Sequence, residues 1–432
     1  MGLRGKSRMR NAAVIAALSL AVCAAHARKH DTHEKAQTLT DPSAGRAPVA
    51  RIAVGPLGFL APSPAYLNLR LAWASLNFID PGHLLFTFHL NGLLQRMSDD
   101  DSSDGEDQMI RADVVDIATG KVVRQAEWRM RDRGRYLWPL RDGKFLVRER
   151  NELYLTDSSL ELRPYLKFDT ELQGVEVSPG RTMLMLEVEK FLESQGGGDD
   201  APSLLLPAEH HERQRRTEMM LLRPGERTVL AKAELRLPIA VPLMEGGIAE
   251  TRQGRGDKQW LIQGDTTGKT VQKIGEVKSD CAPQVQVLSR TVVLAQSCSF
   301  NSGSAVVVSA LSLQGGVLWQ DRWDSRYIWP SFDYAMDGSR FAYESMQANR
   351  DIGKMDSFGE QDIAAQPVGV FDTEAGKLVL VRNADPILSE GQNFALSADG
   401  RKFAILRNGA IEVYDLPAVA VKPVETAKKE KK

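Results

Sequence analysis

This chain lacks an excess of either charge: 55 lysines and arginines face 56 aspartates and glutamates. No global field therefore draws it to nucleic acid or to an anionic membrane. It also lacks an apolar run long enough for a hydrocarbon core, which takes roughly 20 residues of helix. The one sizeable run, residues 12–25, falls short. Cysteine is scarce, with three in 432 residues and no Cys-x-x-Cys pair, which argues against zinc knuckles and thioredoxin-like chemistry. Of the seven histidines, His30 and His33 lie in the polar leader, His83 and His89 fall in the first repeating unit, and His210-His211 lie in a polar insertion. Adjacent histidines on such a loop make a poor preformed metal site.

Catalytic signatures are missing as well. No Gly-x-Ser-x-Gly elbow occurs. Gly264-Asp265-Thr266-Thr267-Gly268-Lys269-Thr270 has three residues between its glycines where a phosphate loop needs four, so it reads as a turn. Asp100, Ser102, Asp104 and Gly105 follow the start of a calcium loop, but Arg111 stands where a bidentate glutamate is required. That stretch reads as a solvated acidic loop. No catalytic residue, metal or cofactor is expected.

What is present begins with an export signal. Arg4, Lys6, Arg8 and Arg10 precede the apolar run, and Ala25-His26-Ala27 supplies a small-x-small cleavage site. Residues 1–27 are read as a cleavable signal peptide, and the protein as periplasmic or extracellular. A lipoprotein anchor at Cys23 is the alternative, disfavoured by the bulk of Val22. The mature chain keeps Cys281 and Cys298, in a compartment where disulfides persist. They flank two apolar runs meeting near Ser289-Arg290. If that pair is a two-residue turn, Cys281 comes opposite Cys298, and a structural disulfide is predicted over two buried thiols.

Between a polar leader (28–48) and a charged tail (422–432), both expected to be flexible, short β-rich runs recur with turn signals. In the clearest unit, Leu76–Ile79 and Leu84–Leu90 are joined by Asp80-Pro81-Gly82-His83, and Ile110–Ile117 and Val122–Trp128 by Ala118-Thr119-Gly120-Lys121. Four antiparallel strands on tight turns make one propeller blade. The outline returns at Asp142-Gly143, Pro179-Gly180, Glu245-Gly246, Ser289-Arg290, Asp337-Gly338 and Asp399-Gly400, which gives about seven units. The last unit shows three clear strands, while Ala50–Phe59 is a strand-like orphan ahead of the first. It could close the ring. The fold class expected is all-β: a β-propeller over residues 49–421, seven-bladed, with four-stranded antiparallel blades.

Phe394-Ala395-Leu396-Ser397-Ala398-Asp399-Gly400-Arg401-Lys402-Phe403-Ala404 resembles the Ser-Pro-Asp-Gly blade pattern of WD-repeat, YVTN-type and TolB-type propellers. Val115-Asp116-Ile117-Ala118-Thr119-Gly120-Lys121 looks like the Asp-x-x-Thr-Gly-Lys turn of the same superfamily. The resemblance is to the fold, and such propellers bind proteins, peptides or sugars and sometimes catalyse.

In a four-stranded blade, the loop between strands two and three shares a face with the connection to the next blade. Long insertions at 97–107, 191–216 and 346–366 are all placed there. Arg135-Tyr136-Leu137-Trp138-Pro139 and Arg326-Tyr327-Ile328-Trp329-Pro330 are near-copies, each where the chain enters an innermost strand. Arg135, Tyr136, Trp138, Arg326, Tyr327 and Trp329 are thus the candidate binding residues, since Arg, Tyr and Trp dominate recognition hot spots. The competing role is structural, with Trp between blades and Arg on a carbonyl. The function expected is an exported binding or scaffold module for a protein, peptide or glycan outside the inner membrane. A lactonase-like hydrolase with its site in the channel, and an envelope-assembly component resembling TolB-type propellers, are the alternatives.

Overall fold

The computed structural model describes residues 41–62, 72–90, 108–130, 134–191, 215–235, 240–265, 271–298, 306–323, 331–349, 362–388 and 390–419. Seven sheets are arranged as propeller blades. Blade 1 holds Ala72–Asp80, His83–Leu90, Gln108–Asp116 and Val122–Met130, and blade 2 holds Leu137–Pro139, Phe145–Glu149, Glu152–Thr156 and Arg163–Lys167. Blade 3 holds Leu172–Val177, Leu184–Phe191, Arg215–Leu222 and Val229–Leu235. Blade 4 holds Ala240–Pro242, Ile248–Gln253, Gln259–Asp265 and Val271–Lys278. Blade 5 holds Gln284–Val287, Val292–Gln296, Val306–Ser312 and Val317–Trp323, and blade 6 holds Ser331–Tyr334, Arg340–Glu344, Pro367–Asp372 and Lys377–Asn383.

Blade 7 takes Phe394–Leu396, Lys402–Arg407 and Ala410–Asp415 from the end of the chain and its outer strand, Ala50–Ala53, from the beginning. Ala50 pairs with Val413 and Ile52 with Ile411, so the orphan run ahead of the first unit does close the ring. This pairing covers the outer edge of Ala410–Asp415, so blade 7 ends on a short fourth strand as the other blades do. One connection departs from the four-strand pattern. Glu390–Gln392, between blades 6 and 7, pairs in parallel with Ala72–Ser75 and gives blade 1 a fifth, innermost strand.

The seven recurring turn signals are the hairpins between the first two strands of each blade. Their chemistry explains the sequence pattern. Ser397 Oγ accepts from the backbone N–H of Lys402 at 2.8 Å and donates to Asp399 Oδ1 at 2.7 Å, so serine and aspartate fix the turn locally. Glycine is needed because neighbouring turns nest: a Cβ on Gly338 (φ 75°) would lie 2.5 Å from Ser289 Cβ in blade 5. At Gly400 (φ 63°) one would meet Ser339 Oγ of blade 6 at 2.8 Å.

Apolar side chains fill the wedges between blades. Ile52, Leu76, Phe86, Phe88, Ala404 and Val413 form one cluster joining blades 7 and 1. Trp323 packs on Tyr343 with ring centroids 4.1 Å apart, binding blade 5 to blade 6. Part of the segment expected to be a free leader is docked: Arg382 donates to Asp41 Oδ2 at 2.6 Å and to the carbonyl of Arg46 at 3.0 Å. No helix among the described residues is long and apolar enough to cross a membrane.

Cys281 and Cys298 form the disulfide, with Cα atoms 5.5 Å apart. The register that led to it needs correction. Gln284 pairs with Gln296 and Val287 with Val293, one residue off the expected alignment, because the turn takes Ser289, Arg290 and Thr291 rather than two residues. Ser289 Oγ holds it by accepting the N–H of Thr291 at 3.1 Å. The cysteines lie just beyond the ladder, where Asp280 N–H donates to the carbonyl of Cys298 at 2.9 Å.

Candidate functional site

The long connections of blades 1, 3 and 6 do run between second and third strands. The connection in blade 6 begins and ends as a small ribbon, Gln347–Ala348 against Ile363–Ala365. Residues 97–107, 192–214 and 350–361 lie outside the described residues, and with them the acidic loop, His210 and His211. All three connections leave from the face that carries the blade-to-blade connections, where the disulfide ties the segment entering blade 5, at Cys281, to the exit of that blade's second strand, at Cys298.

The innermost strands surround a cavity of about 220 Å³, the central channel. Its lining is polar and comes from many blades. Glu176 sits on the inner strand of blade 3, Gln286 on that of blade 5, Asp333 and Tyr334 on that of blade 6, and Gln392 on the extra strand of blade 1; Arg135 leads into blade 2, and Arg181 stands in the first turn of blade 3. Hydrogen bonds stitch the wall around its circumference. Tyr334 donates to Gln286 Oε1 at 2.8 Å, the N–H of Leu396 in blade 7 donates to Asp333 Oδ2 at 2.6 Å, and Gln392 donates to the carbonyl of Phe332 at 3.1 Å. Arg135 completes the series by donating to Gln392 Oε1 at 3.2 Å.

Four charges face this space. Burial pushes the Asp333 carboxyl up against the opposing pull of the Leu396 N–H, Arg181 and Arg135. Glu176 is exposed on its strand, open to the channel; the desolvating wall around it raises its carboxyl while Arg135 pulls it down. The Arg181 guanidinium, 9% exposed, is lowered by burial and raised by Asp333. Arg181 takes a left-handed backbone conformation, φ 56°, which is uncommon for a residue with a side chain. The Tyr334 hydroxyl is held well above its ordinary range, first by burial and then by Glu176.

Three of the six candidate residues, Arg135, Tyr136 and Trp138, lie among the described residues. Arg135 reaches the channel and lies over the Trp138 ring, 5.3 Å from its centroid. Trp138 itself is 4% exposed and packs with Leu146, Leu172 and Leu184 between blades 2 and 3. Tyr136 is 1% exposed and its hydroxyl shares a 2.7 Å hydrogen bond with Thr87 Oγ1 of blade 1. Both aromatic side chains therefore join blades. Arg326, Tyr327 and Trp329 lie outside the described residues, between the last strand of blade 5 and the first of blade 6.

Glu176, Arg181 and Asp333 escaped the sequence reading. The one local signal was a turn, Ser178-Pro179-Gly180-Arg181, that sets a long cation just after its glycine. Among the described residues, no three His, Cys, Asp or Glu side chains come together as a metal-binding group. What the channel offers is separated charge of both signs around a cavity of about 220 Å³.

No family model and no curated protein matches this chain. Solved structures match it in fold. An acylaminoacyl peptidase of Pyrococcus horikoshii is 11% identical with a TM-score of 0.46, over 84% of this chain and 54% of that one. The chain spans about half the length of the acylaminoacyl peptidases it matches. An oligogalacturonate lyase in complex with manganese is 14% identical (TM-score 0.42; 80% and 97% covered). The β-propeller domain of Cps50 (Swd1) from Myceliophteria thermophila is 12% identical (TM-score 0.43; 81% and 98% covered). The strand topology on its own establishes that this chain is a seven-bladed β-propeller.

Proposed function

We propose that the protein is an exported binding module, which engages a protein, peptide or glycan outside the inner membrane through its loop-rich face. The observation that carries this reading is the placement of three long connections: blades 1, 3 and 6 each extend the chain between second and third strands, on the face that carries the blade-to-blade connections. Surface loops on a rigid scaffold are where recognition concentrates. Arg4 to Arg10, the apolar run after them and Ala25-His26-Ala27 support export.

Shortening each of the three connections to a tight turn tests the reading. The full chain, probed on random-peptide and glycan arrays, should give a reproducible set of binders that is lost when the connections are shortened, while the melting temperature holds. Binders retained by the triple variant, or no binders on either array, would sink it. Export is checked separately: the N-terminus of protein recovered from the envelope fraction should be residue 28.

A further inference from the structure

We propose that the central channel is a binding site for a small zwitterion of amino-acid or dipeptide size, its carboxylate held by Arg181 and Arg135 and its ammonium by Glu176 and Asp333. This site is separate from the loop-rich face and stands whether or not a macromolecule docks there.

The argument starts from an uncompensated cost. Removing a charge from water costs several kcal/mol unless a partner of opposite sign stands in contact with it. Arg181 is 9% exposed and Asp333 is 7% exposed, and each lies in the field of the other. Even so, no ion pair closes between them. Arg181 donates to the carbonyl of Leu140 at 3.2 Å and has no carboxylate within reach among the described residues. Glu176, exposed to the channel, feels Arg135 and has no hydrogen-bond or ion-pair partner among the described residues. Opposite charges are thus held apart across a cavity of about 220 Å³, room for roughly seven waters at about 30 Å³ each.

The wall keeps these groups from collapsing onto one another. Asp333 is fixed by the Leu396 N–H at 2.6 Å, and Arg135 by Gln392 at 3.2 Å and the carbonyl of Leu137 at 3.2 Å. Arg181 projects from a left-handed turn position, φ 56°, a strained conformation of the kind that collects at ligand clamps. A monovalent anion or cation would satisfy one half of this arrangement and leave the other half exposed to the same cost. A molecule with both charges satisfies both, and the guanidinium fork suits a carboxylate.

The test uses the purified full chain and calorimetry with the standard L-α-amino acids and Gly-Gly as probes, each beside its N-acetyl form (anion only) and its amide (cation only). At least one zwitterion should bind and raise the melting temperature, with either blocked form weaker by about tenfold or more. Glu176→Gln, which breaks no hydrogen bond seen in the fold, should erase the preference over the N-acetyl form and keep the preference over the amide. Arg181→Gln should do the reverse, with Arg181→Lys retaining part of the wild-type preference. Shortening the three long connections should leave zwitterion binding intact, so the two proposals fail separately. Equal binding of blocked and unblocked forms, or no binding by any probe, overturns the inference.

Discussion

The guanidinium of Arg340 donates through Nε to Asp372 Oδ1 at 2.8 Å, inside blade 6 and almost wholly out of water, with Arg340 1% exposed. Its other nitrogens reach the carbonyls of Gly400 at 2.7 Å and Pro417 at 2.6 Å, so one side chain ties blade 6 to the turn and the exit of blade 7. Arg340→Met should cost about 3–5 kcal/mol, because Asp372 is left without its partner and two carbonyls lose their donor. Arg340→Lys should rescue little, since an ammonium cannot span three acceptors in the guanidinium geometry. Urea unfolding measures both, and a lysine variant of wild-type stability would contradict the role.

His89 is 6% exposed, stacks on Trp73 at 5.2 Å and donates to the backbone of Ala72, while Nε2 has no partner among the described residues. Burial lowers its pKa from 6.5 to about 4. The fold holds the neutral ring, so this stability is complete above the unfolded value and is lost as pH falls from 6.5 toward about 4. A shift of that size corresponds to about 3 kcal/mol. His89→Phe should remove this acid-side loss, seen as a smaller difference between urea midpoints at neutral pH and near pH 4.5. An unchanged difference would assign the acid lability elsewhere.

The disulfide makes a chemical prediction. Thiol labelling of denatured, unreduced mature protein should find neither Cys281 nor Cys298 free, and Cys298→Ser should cost about 3 kcal/mol for a loop of this size. Stoichiometric labelling before reduction is the contrary result.

Closure of the ring is tested at Ile52, 4% exposed in the strand that completes blade 7. Ile52→Asp sets a carboxylate in the wedge shared with Ile411 and Val413. Hydrogen exchange over Ala410–Asp415 should accelerate by orders of magnitude while blades 3 and 4 stay protected. Uniform acceleration around the whole ring would show instead that the blades unfold as one unit.

The architecture was legible because each blade repeats a local code. Ser397 and Asp399 act within their own turn, Asp116 binds Thr119 three residues away, and alternation writes itself along every strand. The disulfide was legible from spacing, but its register slipped because Thr291 joins the turn. The channel was not legible. Glu176, Arg181 and Asp333 belong to different strands and turns and meet only once the ring exists. Tyr136 and Trp138 carried a hot-spot composition, and only burial reveals that they hold blades together.

The seam between Ala50–Ala53 and Ala410–Asp415 joins the first part of the propeller to be synthesised with the last. Until translation reaches blade 7, the flank of blade 1 with Leu76, Phe86 and Phe88 has no neighbour, and the opening strand has nothing to pair with. A product truncated before blade 7 would keep six blades and still present sticky apolar surface to proteases and chaperones. Completion of the ring thus works as a quality checkpoint, passed only by a chain that contains both strands of the seam.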